Sequence, residues 1–146
     1  MYFIAADKHG WEVKKVVELF LASQGIFFEN LGVTSESQDM KLEDFIPLVA
    51  KKVLENPSVN RGILICGTGI GVNIGANRFS GIRSHLAISE EQARWSRQYD
   101  NCNVLCLVGW NADKQTAEKI LKAWLETDYD GDEERRSMFN AFDAWH

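Results

Sequence analysis

The sequence predicts an α/β fold in which helices cover both faces of a five-stranded parallel sheet. Five short apolar segments alternate with segments of helical period along the 146 residues. Strands separated by helices at this spacing pair in parallel, because a parallel connection needs a long crossover. No repeat or linker interrupts the alternation, so we expect one domain that spans residues 1–146.

The first half of the chain supplies three of these strands. A short apolar run, YFIAA at 2–6, is the first strand. The next segment carries apolar residues on one helical face, namely Val13, Val16, Val17, Phe20 and Leu21. Gly25 is expected to end that helix. The other elements predicted here are a strand at 26–32, a polar loop at 34–39, a helix at 42–56 and a strand at 61–66.

The second half continues the same alternation with two more strands. The predicted elements are a short helix at 71–78, a strand at 81–87, a helix at 89–99, a strand at 103–109 and a helix at 112–127. Ser89 is the expected N-cap of its helix, because Gln92 follows three residues later. The tail, residues 128–146, is first acidic and then amphipathic.

The composition is that of a globular protein and excludes several classes of function. Hydrophobic residues make up 45% of the chain, and no apolar run approaches the roughly 18 residues of a membrane span. A net charge of −5 does not fit a protein that binds nucleic acid or a membrane surface. The absence of a signal peptide and three cysteines without paired spacing predict reduced thiols in a cytoplasmic protein. No metal site is indicated.

The segment ILICGTGIGVNIGANR, residues 63–78, carries the strongest indication of a site. A predicted strand ends at Cys66, and four glycines follow in the next nine positions. Parallel sheets bind ligands beyond the carboxyl ends of their strands, and a glycine-rich turn there presents backbone N–H groups to a developing oxyanion. A thiol close to the start of a helix also ionises readily. This combination suits proton abstraction next to a carbonyl group.

Two other interpretations of the same segment stay open. The glycines are also explained by a tight turn, and a buried cysteine is often an inert small hydrophobic residue. Nucleotide-binding patterns do not fit. The pattern GxGxxG needs glycine at position 72 or 74, and the GxxxxGK[ST] loop has no lysine in register.

The segments GILICGTGIGVNIGANR, GIRSHLA, QARWSRQYDNCNVLCLVG and AWLETDYDG resemble the ribose-5-phosphate isomerase B and galactose-6-phosphate isomerase (RpiB/LacAB) family. The resemblance covers nearly the whole chain. It implies a Rossmann-like three-layer αβα fold and a homodimer, sometimes paired into a tetramer, with the site between two subunits. It also implies the isomerisation of a small aldose to a ketose without cofactor or metal.

The resemblance assigns roles to the residues of the glycine turn. The cysteine that matches Cys66 moves a proton between C1 and C2 of the sugar. The threonine that matches Thr68 stabilises the enediolate together with the amides of Gly67, Gly69 and Gly71. Some family members use a glutamate at position 72, where this chain has valine, and this difference favours Cys66 as the base.

Three residues after the first strand are further candidates for substrate binding. Asp7 matches an aspartate that contacts sugar hydroxyls, although a turn residue at the end of a strand is its other interpretation. Lys8 replaces a family histidine and keeps a cation there, and His9 is an additional donor.

Tyr99 and Asp100 stand where the family has histidine and asparagine. That histidine is credited with opening the sugar ring, and tyrosine is a poor proton shuttle at neutral pH. A four-carbon sugar with phosphate or sulfonate on C4 cannot close a furanose ring. Tyr99 therefore predicts an acyclic substrate, and drift in an altered or inactive member is the alternative.

The predicted anion site also differs from that of the family. Arginines that bind phosphate align with Trp110, Glu133 and Ser137, so three positive charges are missing. Arg135 and Arg136 lie in the same tail and are candidates for a shifted clamp, unless the tail is merely solvated. Fewer cations suit a monoanion such as a sulfonate.

The expected function is an aldose–ketose isomerase for a short sugar with an anionic end, such as erythrose/erythrulose 4-phosphate or its 4-sulfo analogue. The first alternative is a ribose-5-phosphate/ribulose-5-phosphate isomerase with a rebuilt phosphate site. The second is a non-catalytic or partner subunit of a hetero-oligomeric isomerase.

Overall fold

The five strands form one parallel sheet in the order β2-β1-β3-β5-β4, in a computed structural model that describes residues 1–145. The strands are β1 (Tyr2–Ala6), β2 (Phe28–Asn30), β3 (Arg61–Cys66), β4 (Ser84–Leu86) and β5 (Val104–Val108). The helices are α1 (Trp11–Ser23), α2 (Leu42–Glu55), α3 (Ile70–Ala76), α4 (Glu90–Gln98), α5 (Lys114–Leu125) and α6 (Glu133–Asp143). A 3-10 turn, Lys8–Gly10, precedes α1.

Two apolar clusters, one on each face of the sheet, hold the layers together. On one face, side chains of α1, α4 and α5 pack against Ile63 and Leu105. On the other face, side chains of α2 and α3 pack against Leu64 and Cys66. Successive residues of β3 thus point to opposite faces, as the pleat of a strand requires. The predicted three-layer αβα fold with a five-stranded parallel sheet is confirmed.

Several predicted element ends are confirmed in detail. The strands predicted at 2–6 and 61–66 match β1 and β3. Gly25 follows α1 in the left-handed region, with φ +66°, and its amide donates to the Ala22 carbonyl at 3.0 Å. The Ser89 hydroxyl accepts a hydrogen bond from the Gln92 amide at 3.2 Å and caps α4.

The fourth strand is shorter than predicted, because its first residues serve a different contact. Gly81 takes a left-handed conformation, with φ +84°, and its amide donates to the Asp143 carboxylate of α6 at 2.7 Å. Strand pairing therefore starts only at Ser84. The partner in this contact is α6, into which the amphipathic part of the tail folds.

The topology leaves a crevice between β1 and β3 at the carboxyl end of the sheet. After β1 the chain turns into α1 on one face, and after β3 it turns into α3 on the other. Adjacent strands whose connections leave in opposite directions form the switch point at which open α/β sheets bind ligands. Among the described residues, no helix has the length and apolar character needed to cross a membrane.

Candidate active site

Three strand ends meet at the carboxyl end of the sheet. β1 ends just before Asp7, β3 ends at Cys66, and Val108 of β5 is the pairing partner of Cys66. The Trp110 amide donates to the Gly67 carbonyl at 2.8 Å, which turns the chain after β5 back over the chain after β3. Main-chain hydrogen bonds thus set the positions of these residues.

The thiol of Cys66 lies at the base of the glycine turn. The residue is 4% exposed, and its side chain belongs to the cluster under α2 and α3. Thr68, two residues later, is exposed, and its hydroxyl oxygen accepts from the Ile70 amide at 3.2 Å. Because that oxygen is the acceptor, the hydroxyl hydrogen remains available to a substrate oxygen.

The turn requires glycine at position 69, because its backbone conformation and its neighbours leave no room for a side chain there. The residue is left-handed, with φ +72°, and directly precedes α3. A Cβ there would lie 2.5 Å from the Leu86 side chain and 3.0 Å from the Leu107 carbonyl oxygen. Gly71 follows in the first turn of α3. The tight-turn interpretation therefore holds at Gly69.

Asp7 shapes the turn on the opposite side of the crevice. It is 7% exposed, and its Oδ1 accepts a hydrogen bond from the Gly10 amide at 2.9 Å. This is the structural role that the sequence offered as an alternative for Asp7, and it occupies one carboxylate oxygen.

Lys8 and His9 protrude from the same 3-10 turn, but each contacts a different part of the chain. The Lys8 ammonium lies 3.0 Å from the Asp39 carboxylate in the loop after β2. Hydrogen bonding from Lys8 lowers the pKa of Asp39. The ring of His9 meets that of Trp110 edge-on, with centroids 5.2 Å apart. The cation predicted to bind an anion is therefore already paired.

The remaining predicted residues lie at the amino end of the sheet. Tyr99 ends α4, which runs back from the carboxyl end, and Asp100 precedes β5. Since a strand rises roughly 3.3 Å per residue, β5 alone separates the two ends by about 13 Å. The Arg135 guanidinium stacks on the Tyr99 ring, 5.2 Å from its centroid, and pairs with Asp130.

Arg136, the neighbour of Arg135, pairs within its own helix, 3.0 Å from Glu133. One chain therefore brings together the residues after β1 and β3. It keeps Tyr99, Asp100, Arg135 and Arg136 apart from them.

Residues 2–139 match the model of the ribose/galactose isomerase family. The chain belongs to this family. It is 37% identical over 136 residues to the probable ribose-5-phosphate isomerase B of Mycoplasma genitalium, which covers 93% of this chain and 90% of that protein. It is 33% identical over 107 residues to the 4-deoxy-4-sulfo-D-erythrose isomerase of Clostridium sp. (strain MSTE9), which covers 73% of this chain and 67% of that protein.

A solved structure of the family has the same fold. The crystal structure of ribose-5-phosphate isomerase B from Mycoplasma genitalium with bound ribulose 5-phosphate superposes with a TM-score of 0.91. The two chains are 33% identical, over 99% of this chain and 94% of that one. The resemblance and the enzyme class predicted from the sequence, an isomerase, are confirmed.

The other two thiols of this isomerase, those of Cys102 and Cys106, do not ionise readily at neutral pH. Burial raises the pKa of both Cys102 and Cys106 to about 12. The Cys106 sulfur also lies 3.1 Å from the Ser84 hydroxyl. Within residues 1–145, no three histidine, cysteine or acidic side chains come together as a metal site would require.

A cavity of about 440 Å³ lies between β4 and α6 of the isomerase and includes Asp100 in its lining. His85 of β4 faces it, and its Nε2 is buried without a hydrogen-bond partner among the described residues. Burial lowers the pKa of His85, and the charge of Asp100 opposes that shift.

Two contacts at the carboxyl end were not predicted from the sequence. Asp39 and Trp110 are brought to Lys8 and Gly67 by the fold. For Trp110 the available signal was its position just beyond the end of a strand. For Asp39 the polar loop gave no such signal.

Proposed function

We propose that this isomerase interconverts a short aldose and ketose that carry an anionic end, with erythrose/erythrulose 4-phosphate or the 4-sulfo analogue as the substrate class. The observation that carries the proposal is the Cys66 thiol at the end of β3, beside the exposed Thr68 hydroxyl and the glycine turn. An enediolate reaction needs a base and oxyanion donors side by side. Neither a cofactor nor a metal enters the proposed reaction.

In the proposed reaction, Cys66 acts as a thiolate and removes the proton from C2 of the aldose. The electron pair of that C–H bond forms the C1–C2 double bond, and the carbonyl electrons move onto O1. The Thr68 hydroxyl and the amides of Gly67, Gly69 and Gly71 donate to this oxygen. A proton then passes from O2 to O1 as the C2 carbonyl forms, and the thiol returns its proton to C1. No atom is gained or lost.

The charges around the crevice support a substrate end of low charge. Lys8 is the cation on the 3-10 turn, and Asp39 partly neutralises it. A dianionic phosphate is best bound by several cations, whereas a monoanionic sulfonate has the same tetrahedral oxygens and needs fewer. The relative named a 4-deoxy-4-sulfo-D-erythrose isomerase supports the same substrate class.

Ribose 5-phosphate is the second candidate substrate, because relatives of higher identity are named for it. Steady-state kinetics on erythrose 4-phosphate and ribose 5-phosphate separate the two. We expect the larger kcat/KM on the four-carbon sugar, and equal values would contradict the substrate proposal. Tyr99→His should increase activity on the cyclic sugar alone, and a uniform loss would contradict the ring-opening argument.

We also propose that two copies of the chain form a homodimer with the site at their interface. The support is the separation of the predicted residues, since Tyr99 and Asp100 lie at the opposite end of the sheet from Cys66. A two-fold axis that sets the amino end of one copy against the carboxyl end of the other would bring Tyr99 and Asp100 of each copy to Cys66 of its partner, at two equivalent sites. If the purified chain isomerises no tetrose, pentose or hexose phosphate, the alternative of a partner subunit is supported instead.

A further inference from the structure

Trp110 is a large aromatic residue at the carboxyl end of the sheet that the proposed reaction does not use. Its six-membered ring lies directly on Gly67. A Cβ at that position would be 2.5 Å from Cε2 of the indole and 2.7 Å from Cδ2. The ring therefore covers the main chain at the residue that follows Cys66.

Two further contacts fix this ring in place. The Trp110 amide donates to the Gly67 carbonyl, and the ring of His9 meets the indole at an interplanar angle of 74°. The main chain of His9 in turn lies so close to Gly109 that no side chain fits there. The indole is thus held between the turns after β1 and β3, and 52% of the residue is still exposed.

We propose that Trp110 is a specificity-determining residue whose indole forms an uncharged wall against the carbon chain of the substrate. This inference rests on the proposed function. The Gly67 amide is one of the proposed oxyanion donors, so a sugar bound by it would lie close to the indole that is seated on Gly67. Aromatic faces bind C–H groups by apolar contact and offer no charge to an anion. The wall also fills volume that a longer carbon chain would need.

The kinetic test compares Trp110→Ala, which removes the wall, with Trp110→Phe, which keeps an aromatic face. For Trp110→Ala we expect KM for erythrose 4-phosphate to rise about tenfold with kcat changed less than about threefold. The ratio of kcat/KM for ribose 5-phosphate to that for erythrose 4-phosphate should rise by about tenfold or more. Trp110→Phe should stay within about threefold of the unsubstituted protein in both constants.

A role confined to covering the glycine turn gives a different result. Loss of the cover would then lower kcat for both sugars alike and leave their ratio unchanged, and this outcome overturns the proposal. Failure of Trp110→Phe to restore the ratio also overturns it. Circular dichroism on both variants establishes that they are folded before the kinetics are compared.

A binding measurement separates the failure of this inference from the failure of the proposed function. Erythritol 4-phosphate has no carbonyl group and cannot be turned over. The chain has five tryptophans. We expect a fluorescence change on titration of the unsubstituted protein that is lost in Trp110→Phe.

If no sugar is isomerised but this difference in fluorescence is seen, the proposed function is contradicted and the proposed contact of Trp110 with the ligand is supported. If the two proteins respond alike, the inference is overturned whatever the activity.

Discussion

The two ends of the sheet hold their candidate residues by different means. At the carboxyl end, main-chain hydrogen bonds between strand ends fix the residues around Cys66, as where the Trp110 amide reaches the Gly67 carbonyl. At the amino end, side-chain contacts dominate, as where Arg135 stacks on Tyr99 and pairs with Asp130. Strand pairing at the centre of a sheet leaves the backbone little conformational freedom. The residues around Cys66 are therefore assembled within each chain, whereas Tyr99 and Arg135 lie on exposed helices.

The two ends are alike in one respect, because at each end a candidate cation of the site is paired with a carboxylate of the same chain. Lys8 is paired with Asp39 at one end, and Arg136 is paired with Glu133 at the other. Exposed pairs of this kind contribute roughly 0–1 kcal/mol each, so an anion can displace the carboxylate at little cost. Under the proposed function, charge pairing sets how strongly an anionic substrate end is preferred, and the backbone sets where the reaction takes place.

The largest effect in this comparison is expected when the proposed base at the carboxyl end is removed. Cys66→Ala should lower kcat by about 10³-fold, within the range expected for loss of a general base, and should leave the fold intact because one small residue replaces another. Cys102→Ala, near the amino end, is the matched control and should retain activity. A near-normal rate in Cys66→Ala would show that this thiol is not the base.

Mixing two impaired variants tests whether both ends serve one site. Cys66→Ala removes the proposed base, and Tyr99→Ala removes the side chain that the proposed dimer places at the partner's site. Each variant, purified alone, should therefore have strongly reduced activity. After the subunits are exchanged, half of the pairs are mixed, and one of the two sites in each mixed pair is intact. We expect about a quarter of the normal activity to return. A mixture no more active than its components would place Tyr99 outside the site of a partner.

The low exposure of Cys66 predicts limited exchange of the transferred proton with water. In deuterated water, the ketose formed in the first turnovers should carry less than one non-exchangeable deuterium on C1, because the 4% exposed sulfur retains part of the abstracted proton. Mass spectrometry of the product measures this fraction. A full deuterium in every product molecule would mean that the base is open to solvent.

The charge balance at the carboxyl end gives a smaller effect. Asp39→Asn should free Lys8 and lower KM for a phosphate-terminated sugar by about threefold, with a weaker effect on the sulfonate analogue. Glu55→Gln is the control, since it removes a comparable exposed pair with Lys52 on α2. Equal changes in KM for both variants would show that Lys8 does not bind the anionic end of the substrate.

The smallest effect concerns stability at the amino end. Burial lowers the pKa of His85, so below about pH 6.5, the ordinary value for histidine, the unfolded chain binds a proton that the folded chain does not. The folded state is therefore destabilised as the pH falls through that range. His85→Gln should reduce the loss of Tm between pH 7.5 and 5.5 by about 1–3 °C. Identical losses in both proteins would contradict this assignment.

The sequence predicts best what local chemistry and strand periodicity determine. The β3 strand, the N-cap at Ser89 and the glycine turn after Cys66 are all set by short runs of residues. The contact that shortens β4 joins Gly81 to Asp143, 62 positions apart, and no periodicity encodes such a pair. The contact between Lys8 and Asp39 was missed for the same reason, because it joins a turn to a loop.

Within the candidate site, the sequence predicted the backbone positions of residues at strand ends but not the side-chain contacts of their neighbours. Cys66 and Thr68 lie where the motif placed them. The sequence marks Trp110 only as the loss of a positive charge, because it does not reveal that the indole lies over Gly67. The separation of Tyr99 from Cys66 follows from the direction of α4, which becomes clear once the strand order is known.

The lack of space around the glycines limits how this scaffold can acquire new substrates. A side chain at Gly67, Gly69 or Gly109 would collide with an indole, a leucine or the main chain of a neighbouring turn. Substitution therefore has little freedom on the floor of the crevice, because a side chain at any of these glycines would require a neighbouring residue to move. We therefore expect substrate specificity to diverge at the edge of the crevice. Asp39 and Trp110 lie there, and their side chains can be replaced without a change in the sheet.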